Sequence, residues 1–149
     1  TTHPPALYGD GWAQIAPEHT VASWLDNAEL PRLYSSAAIV LNDHWPDMRA
    51  AGFISNRVFD ALACGAFVVS DPVEGLREEL GDAVETDIGD LQRTFDRWLA
   101  DPAERRRRAA AGREIVLRHH TADVRAGELL ELLAATMPGF PCFAAETVQ

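Results

Sequence analysis

Apolar residues along this chain fall into short β-branched runs separated by stretches of helical period. "AIVLN" (38–42) and "AFVVS" (66–70) are uninterrupted runs of strand length, the pattern of strands buried on both faces of a parallel sheet. "ALYGDGW" (6–12) reads as a short strand breaking into a glycine turn, "TVASWL" (20–25) as a second candidate strand and "AVET" (83–86) as a marginal one. Helical spacing fills the intervals. "ELPRLYSSA" (29–37) predicts one short helix. A second starts near Ser55 or Asn56, carries Val58, Phe59 and Leu62 on one face and stops at Gly65. A turn and a short helix follow in "DPVEGLREEL" (71–80). Three helical stretches close the chain. The first places Leu91, Phe95, Trp98 and Leu99 on one face. The second has Asp101 as N-cap, Pro102 at its first position and Glu104 three residues after the cap. The third, "TADVRAGELLELLAATM" (121–137), repeats apolar residues at helical spacing.

Strands alternating with helices predict an α/β fold, a mostly parallel sheet with helices on both faces, closed by the C-terminal helices. Residues 1–137 form one predicted domain and 138–149 a tail. In such sheets ligands bind at the carboxyl ends of strands, beside helix N-termini. The segment Asp43–Ser55 lies at one of these ends and reads as a loop, longer than the roughly two to six residues usual for such a connection. Arg57 falls in the first turn of the helix that follows. There it opposes the helix dipole at a cost of about 0.3–1 kcal/mol unless an anion lies nearby. The backbone amides after Ser55, with the Arg57 guanidinium, make a phosphate-type anion site. The competing reading pairs Arg57 with Asp60 or Asp71. Asp60, one turn along, is either that partner or an acceptor for a ribose diol.

Composition narrows the chemistry. A net charge of −10 argues against a nucleic-acid surface or an anionic membrane patch. All thirteen basic residues are arginine, which removes Schiff-base and phosphate-loop lysines. Cys64 and Cys142 are too far apart in sequence to suggest a metal pair, and Cys64 reads as a buried small hydrophobe. No signal peptide and no apolar run of membrane-spanning length are found, which reads as a cytoplasmic chain.

Around the crevice, Asn42, Asp43, His44 and Asp47 form a polar cluster with Trp45 as a stacking platform. Sugar recognition suits this set better than a metal, for which Asp43, His44 and Asp47 have weak spacing; the competing reading is an ordinary polar loop, and no metal or other cofactor is expected. The arginine run "ERRRRAAAGR" (104–113) points in several directions on a helix and reads as a solvated face. His119 and His120 suit the negative end of the same helix.

Two long stretches, "ELPRLYSSAAIVLNDH…DMRAAGFISNRVFDALACGAFVVSD" and "DLQRTFDRWLADPAERRRRAAAGREIVLRHHTADVRAGELL", resemble the C-terminal, donor-binding domain of GT-B glycosyltransferases. The similarity is strongest to the bacterial group-1-like branch that includes spore-maturation glycosyltransferases. It implies a Rossmann-like half of a larger enzyme, lacking its first, central strand and the N-terminal acceptor-binding domain. It also implies a nucleotide-sugar donor and hexosyl transfer, with the isolated chain inactive. In the wider retaining families two glutamates frame this helix. Asp60 stands at the ribose-binding one and Gly52 at the one that contacts the sugar, a departure that leaves retention against inversion open.

By the same resemblance Ser55, Asn56, Arg57 and Asp60 hold the nucleotide diphosphate. Asn42, His44, Met48 and Gly52 face the sugar, and Arg57 and His44 are the catalytic candidates. A strand edge left unpaired would recruit a second copy or the tail. Two alternatives stand beside this reading. One is a non-catalytic sugar- or nucleotide-binding or docking domain. The other is a degenerate receiver-type signalling domain, since "IVLNDHWPDM" echoes a receiver strand end but carries Asn42 where a phosphorylated aspartate would stand.

Overall fold

The computed structural model describes residues 2–137, so Cys142 and the tail lie outside the described residues. The two apolar runs pair with each other, but only the second is buried on both faces: the first lies at the sheet edge and leaves Leu41 42% exposed. β3 (Val40–Asn42), β4 (Val68–Ser70) and β5 (Val84–Glu85) make a parallel sheet in the order β3-β4-β5, with Val40 opposite Val68 and Asn42 opposite Ser70. β1 (Leu7–Tyr8) and β2 (Thr20–Ala22) pair in parallel as a separate two-stranded sheet. The parallel strands and flanking helices are those of a Rossmann-like fragment, split into two sheets.

Helices cover the larger sheet. α4 (Asn56–Ala63) buries Val58, Ala61 and Leu62 against β3 and β4, where they join Val40, Val68 and Val84 in the main core. α4 stops at Gly65, whose φ of +78° is the left-handed geometry that a Cβ disfavours. α7 (Pro102–His119) packs across α4, and Gly112 is the reason it comes so close. A Cβ there would lie 2.7 Å from Leu62 Cδ2 and 3.0 Å from Ala83 Cβ. The start of α7 follows local rules: the Asp101 carboxylate accepts from the Glu104 amide at 3.0 Å. On the other side of the sheet Phe67 and Val69 meet Trp98 of α6 (Leu91–Ala100). Trp98 donates to the buried Glu85 carboxylate at 3.0 Å.

Several expectations are corrected. The segment Asp43–Ser55 contains a helix, α3 (Pro46–Ala50), with Pro46 at its first position. It ends in a Schellman pair, Phe53 N–H to Met48 O at 2.8 Å and Gly52 N–H to Arg49 O at 3.2 Å, with Gly52 at φ +65°. The glycine turn after β1 continues into α1 (Trp12–Ile15), and the second predicted strand is only Thr20–Ala22. α2 (Leu30–Ser36) stands where its spacing placed it. Leu91 is exposed, because the buried face of α6 is Thr94, Phe95 and Trp98. The arginine run is not simply solvated. Arg105 caps the Trp98 carbonyl, Arg113 donates to the Ala63 carbonyl, and Arg108 lies over the Trp98 ring. α8 (Ala122–Thr136) has no fully buried residue and leaves Leu129 and Leu132 exposed. Cys64 is half-buried, with burial pushing its thiol upward. Among the described residues no helix is long and apolar enough to cross a membrane.

Candidate functional site

The carboxyl ends of β3 and β4 lie side by side, so the polar residues after each apolar run converge. Asn42 donates to Ser70 Oγ at 3.0 Å. Asp71, the next residue after β4, is buried and organises the loop that leaves β3. One of its oxygens accepts from the His44 backbone amide at 3.1 Å and from His44 Nδ1 at 2.6 Å. The other accepts from Arg49 of α3 at 2.8 Å. His44 Nε2 in turn accepts from the Ser55 amide at 3.1 Å, which calls for the Nδ1–H tautomer. Burial acts to raise the Asp71 carboxyl, but the bonds from His44 and Arg49 outweigh it and hold the group below the usual carboxylate range.

This network corrects the expectation for His44. Its ring is 0% exposed and both nitrogens are spent inside the protein, so it cannot touch a sugar in this conformation. It is a positioning residue that ties the start of α4 to the end of β4. Asp43 and Asp47 remain exposed while His44 turns inward. Among the described residues no three His, Cys, Asp or Glu groups are placed to hold a metal. Asn42 is buried, and its role is structural on its Ser70 side.

The start of α4 has the opposite character. Ser55 is its N-cap by geometry, yet its hydroxyl makes no capping bond. The Val58 amide returns to the Ser55 carbonyl at 3.0 Å, while those of Asn56 and Arg57 find no partner among the described residues. Arg57 is exposed. Neither Asp60 nor Asp71 pairs with it, because Asp71 is taken by His44 and Arg49. Its Nη1 lies 3.5 Å from Asn42 Oδ1, and the guanidinium also bonds the Tyr34 hydroxyl. Tyr34 of α2 faces this same patch. Burial is the main force raising its phenol, with Asp60 and Cys64 adding to it and Arg57 opposing. Asp60 is exposed one turn along the helix. Met48 is half-buried, and Gly52 and Asn56 line a cleft beside the helix start.

The structure therefore gathers Asn42, Ser55, Asn56 and Arg57, and sets His44 beneath them. Asp71 and Tyr34 were missed as site residues. The signal for Asp71 was present: a carboxylate directly follows the buried run "AFVVS" at the end of the sheet where ligands bind. Tyr34 carried no such signal, since an aromatic at helical spacing reads as core.

Compared with known proteins, the chain matches a family model described as glycosyl transferase-like over residues 2–131. No curated protein and no solved structure matches it.

Proposed function

The chain belongs to the glycosyl transferase-like family, and from that membership we propose that it is the donor-binding part of a nucleotide-sugar-dependent hexosyltransferase. The observation that carries the proposal is the open start of α4. The first turn of α4 carries two amides and a Ser55 hydroxyl with no partner, and a guanidinium with no carboxylate partner, among the described residues. That arrangement fits a diphosphate. As the glycosyl bond breaks, negative charge builds on the leaving diphosphate, and fixed donors aimed at it lower the barrier. Asp60, on the exposed side of the same helix, would accept from the ribose hydroxyls. His44 acts indirectly, by fixing the Ser55 amide and with it the direction of the helix start. The acceptor and the base that activates it are assigned to a second domain.

Titration with UDP or GDP, followed by amide resonances, tests the site. Shifts are expected at Ser55, Asn56 and Arg57. Arg57→Ala should weaken binding by about 1.5–3 kcal/mol, the range for hydrogen bonds to charged groups. Equal affinity in both proteins would overturn the assignment. Because the donors proposed are protein groups, EDTA should leave nucleotide affinity unchanged. A strict requirement for magnesium or manganese would count against the site.

One observation favours a second reading, a non-catalytic nucleotide-sugar-binding domain. The imidazole expected to serve catalysis is buried with both nitrogens occupied. Sugar transfer by the protein together with its acceptor domain decides between the two.

A further inference from the structure

We propose that Tyr34 and Asn42 are positioning residues for Arg57: they hold its guanidinium at the start of α4 through neutral oxygens and so leave its charge whole for an anion. The inference rests on the diphosphate reading of the helix start and adds how the cation is held there. An arginine in the first turn opposes the helix dipole, and an exposed arginine has many rotamers open to it. A carboxylate partner would fix the side chain but would also cancel its charge. Two carboxylates lie nearby in sequence or in space, and neither pairs with it. Asp71, which leads from β4 into the turn before α5 (Leu76–Leu80), is held by His44 and Arg49, and Asp60 is exposed one turn along α4.

The oxygens that do meet Arg57 are uncharged and come from two other elements. Asn42 ends β3 and is buried, with Oδ1 3.5 Å from Arg57 Nη1. Its amide is held one way round. Nδ2 donates to Ser70 Oγ at 3.0 Å, and the fully buried Ser70 hydroxyl gives its own proton to the Asp71 carbonyl at 3.1 Å. A flipped amide would set an oxygen against a hydroxyl whose proton is already engaged, and an NH₂ against the guanidinium. The carbonyl oxygen is therefore the atom turned to Arg57. Tyr34, on α2, packs its ring against the main core, and the guanidinium bonds its hydroxyl. Burial pushes this phenol up from its ordinary value, so at neutral pH the oxygen carries no charge. Both holders are anchored in the fold and not in the helix they serve.

Side-chain relaxation of the arginine Nε–H groups tests the proposal without a ligand. Arg57 should be as ordered as Arg113, which donates to the Ala63 carbonyl at 3.0 Å. Tyr34→Phe should loosen Arg57 and leave Arg113 unchanged. An Arg57 side chain that is mobile in the parent, or equally ordered without the hydroxyl, overturns the proposal. Affinities for UDP, GDP and inorganic pyrophosphate supply the second arm. Tyr34→Phe should weaken binding about fivefold, the worth of one neutral hydrogen bond, and should have no effect in the Arg57→Ala background. An equal loss in both backgrounds overturns the proposal. Asn42→Asp keeps the shape and adds the carboxylate that the site avoids. Arg57 should then stay ordered while affinity falls about tenfold or more, as for a hydrogen bond to a charged group. Order and affinity falling together in a protein with a native spectrum overturns the charge argument; if this variant does not fold, the Tyr34→Phe cycle decides. Arg57→Ala without effect overturns the diphosphate reading itself. A loss with Arg57→Ala but none with Tyr34→Phe or Asn42→Asp overturns this proposal and leaves that reading standing.

Discussion

Two polar regions adjoin at the carboxyl ends of β3 and β4, and they are built on opposite terms. Around Asp71 the polar groups bond one another inside the protein: His44 gives it two bonds, Arg49 a third, and the Ser55 amide closes the ring on His44. Around Arg57, a few residues away, the Asn56 and Arg57 amides have no partner among the described residues, and the guanidinium reaches Asn42 Oδ1 and the Tyr34 hydroxyl instead of a carboxylate. A satisfied buried network holds a shape; in the function proposed, the unspent donors of the helix start serve a ligand. The first region aims the second, and a residue's chemical type alone does not say to which region it belongs.

The largest expected effect comes from breaking the closed region. Asp71→Ala strands His44 and Arg49 together and should lower unfolding stability by about 3 kcal/mol or more in a denaturant titration. A loss under about 1 kcal/mol would mean that the network is ornamental to folding. Arg57→Ala should give the reverse signature. Nucleotide binding falls while stability stays within about 0.5 kcal/mol of the parent, as at an exposed site. A clear destabilisation by Arg57→Ala would erase the distinction between the two regions.

Acid provides a finer test. The native Asp71 carboxyl titrates below its unfolded value, so its contribution is complete above about pH 4 and is lost as pH falls through the native value. Asp71→Asn should flatten that acid limb of the stability curve. The smallest effect belongs to Glu104 at the start of α7. Bonds from Arg107 and then Arg108 draw its carboxyl down to about 2, against the opposing effect of burial. Being only half-buried, it should soften the helix slightly as pH drops toward that value, visible as a shift in the Arg107 side-chain resonances.

The sequence alone determined what depends on neighbours along the chain. Asp101, Pro102 and Glu104 announce the start of α7, Gly65 ends α4, and the β-branched runs are β3 and β4. Even α3 was legible, since Pro46 and Gly52 bracket it by the same rules that served α7. Asp43–Ser55 read as a loop because its length and polar start outweighed that local signal. The open helix start was legible too, because consecutive residues create it. Tertiary structure decided the rest. Asp71 lies 27 residues from His44, and only the parallel pairing of β3 with β4 brings their strand ends together. Gly112 is one more glycine in a helix until Leu62 and Ala83 crowd it from two other segments. Whether an imidazole faces a ligand or a carboxylate is fixed by which strand end lies beside it, and no spacing within one segment contains that information.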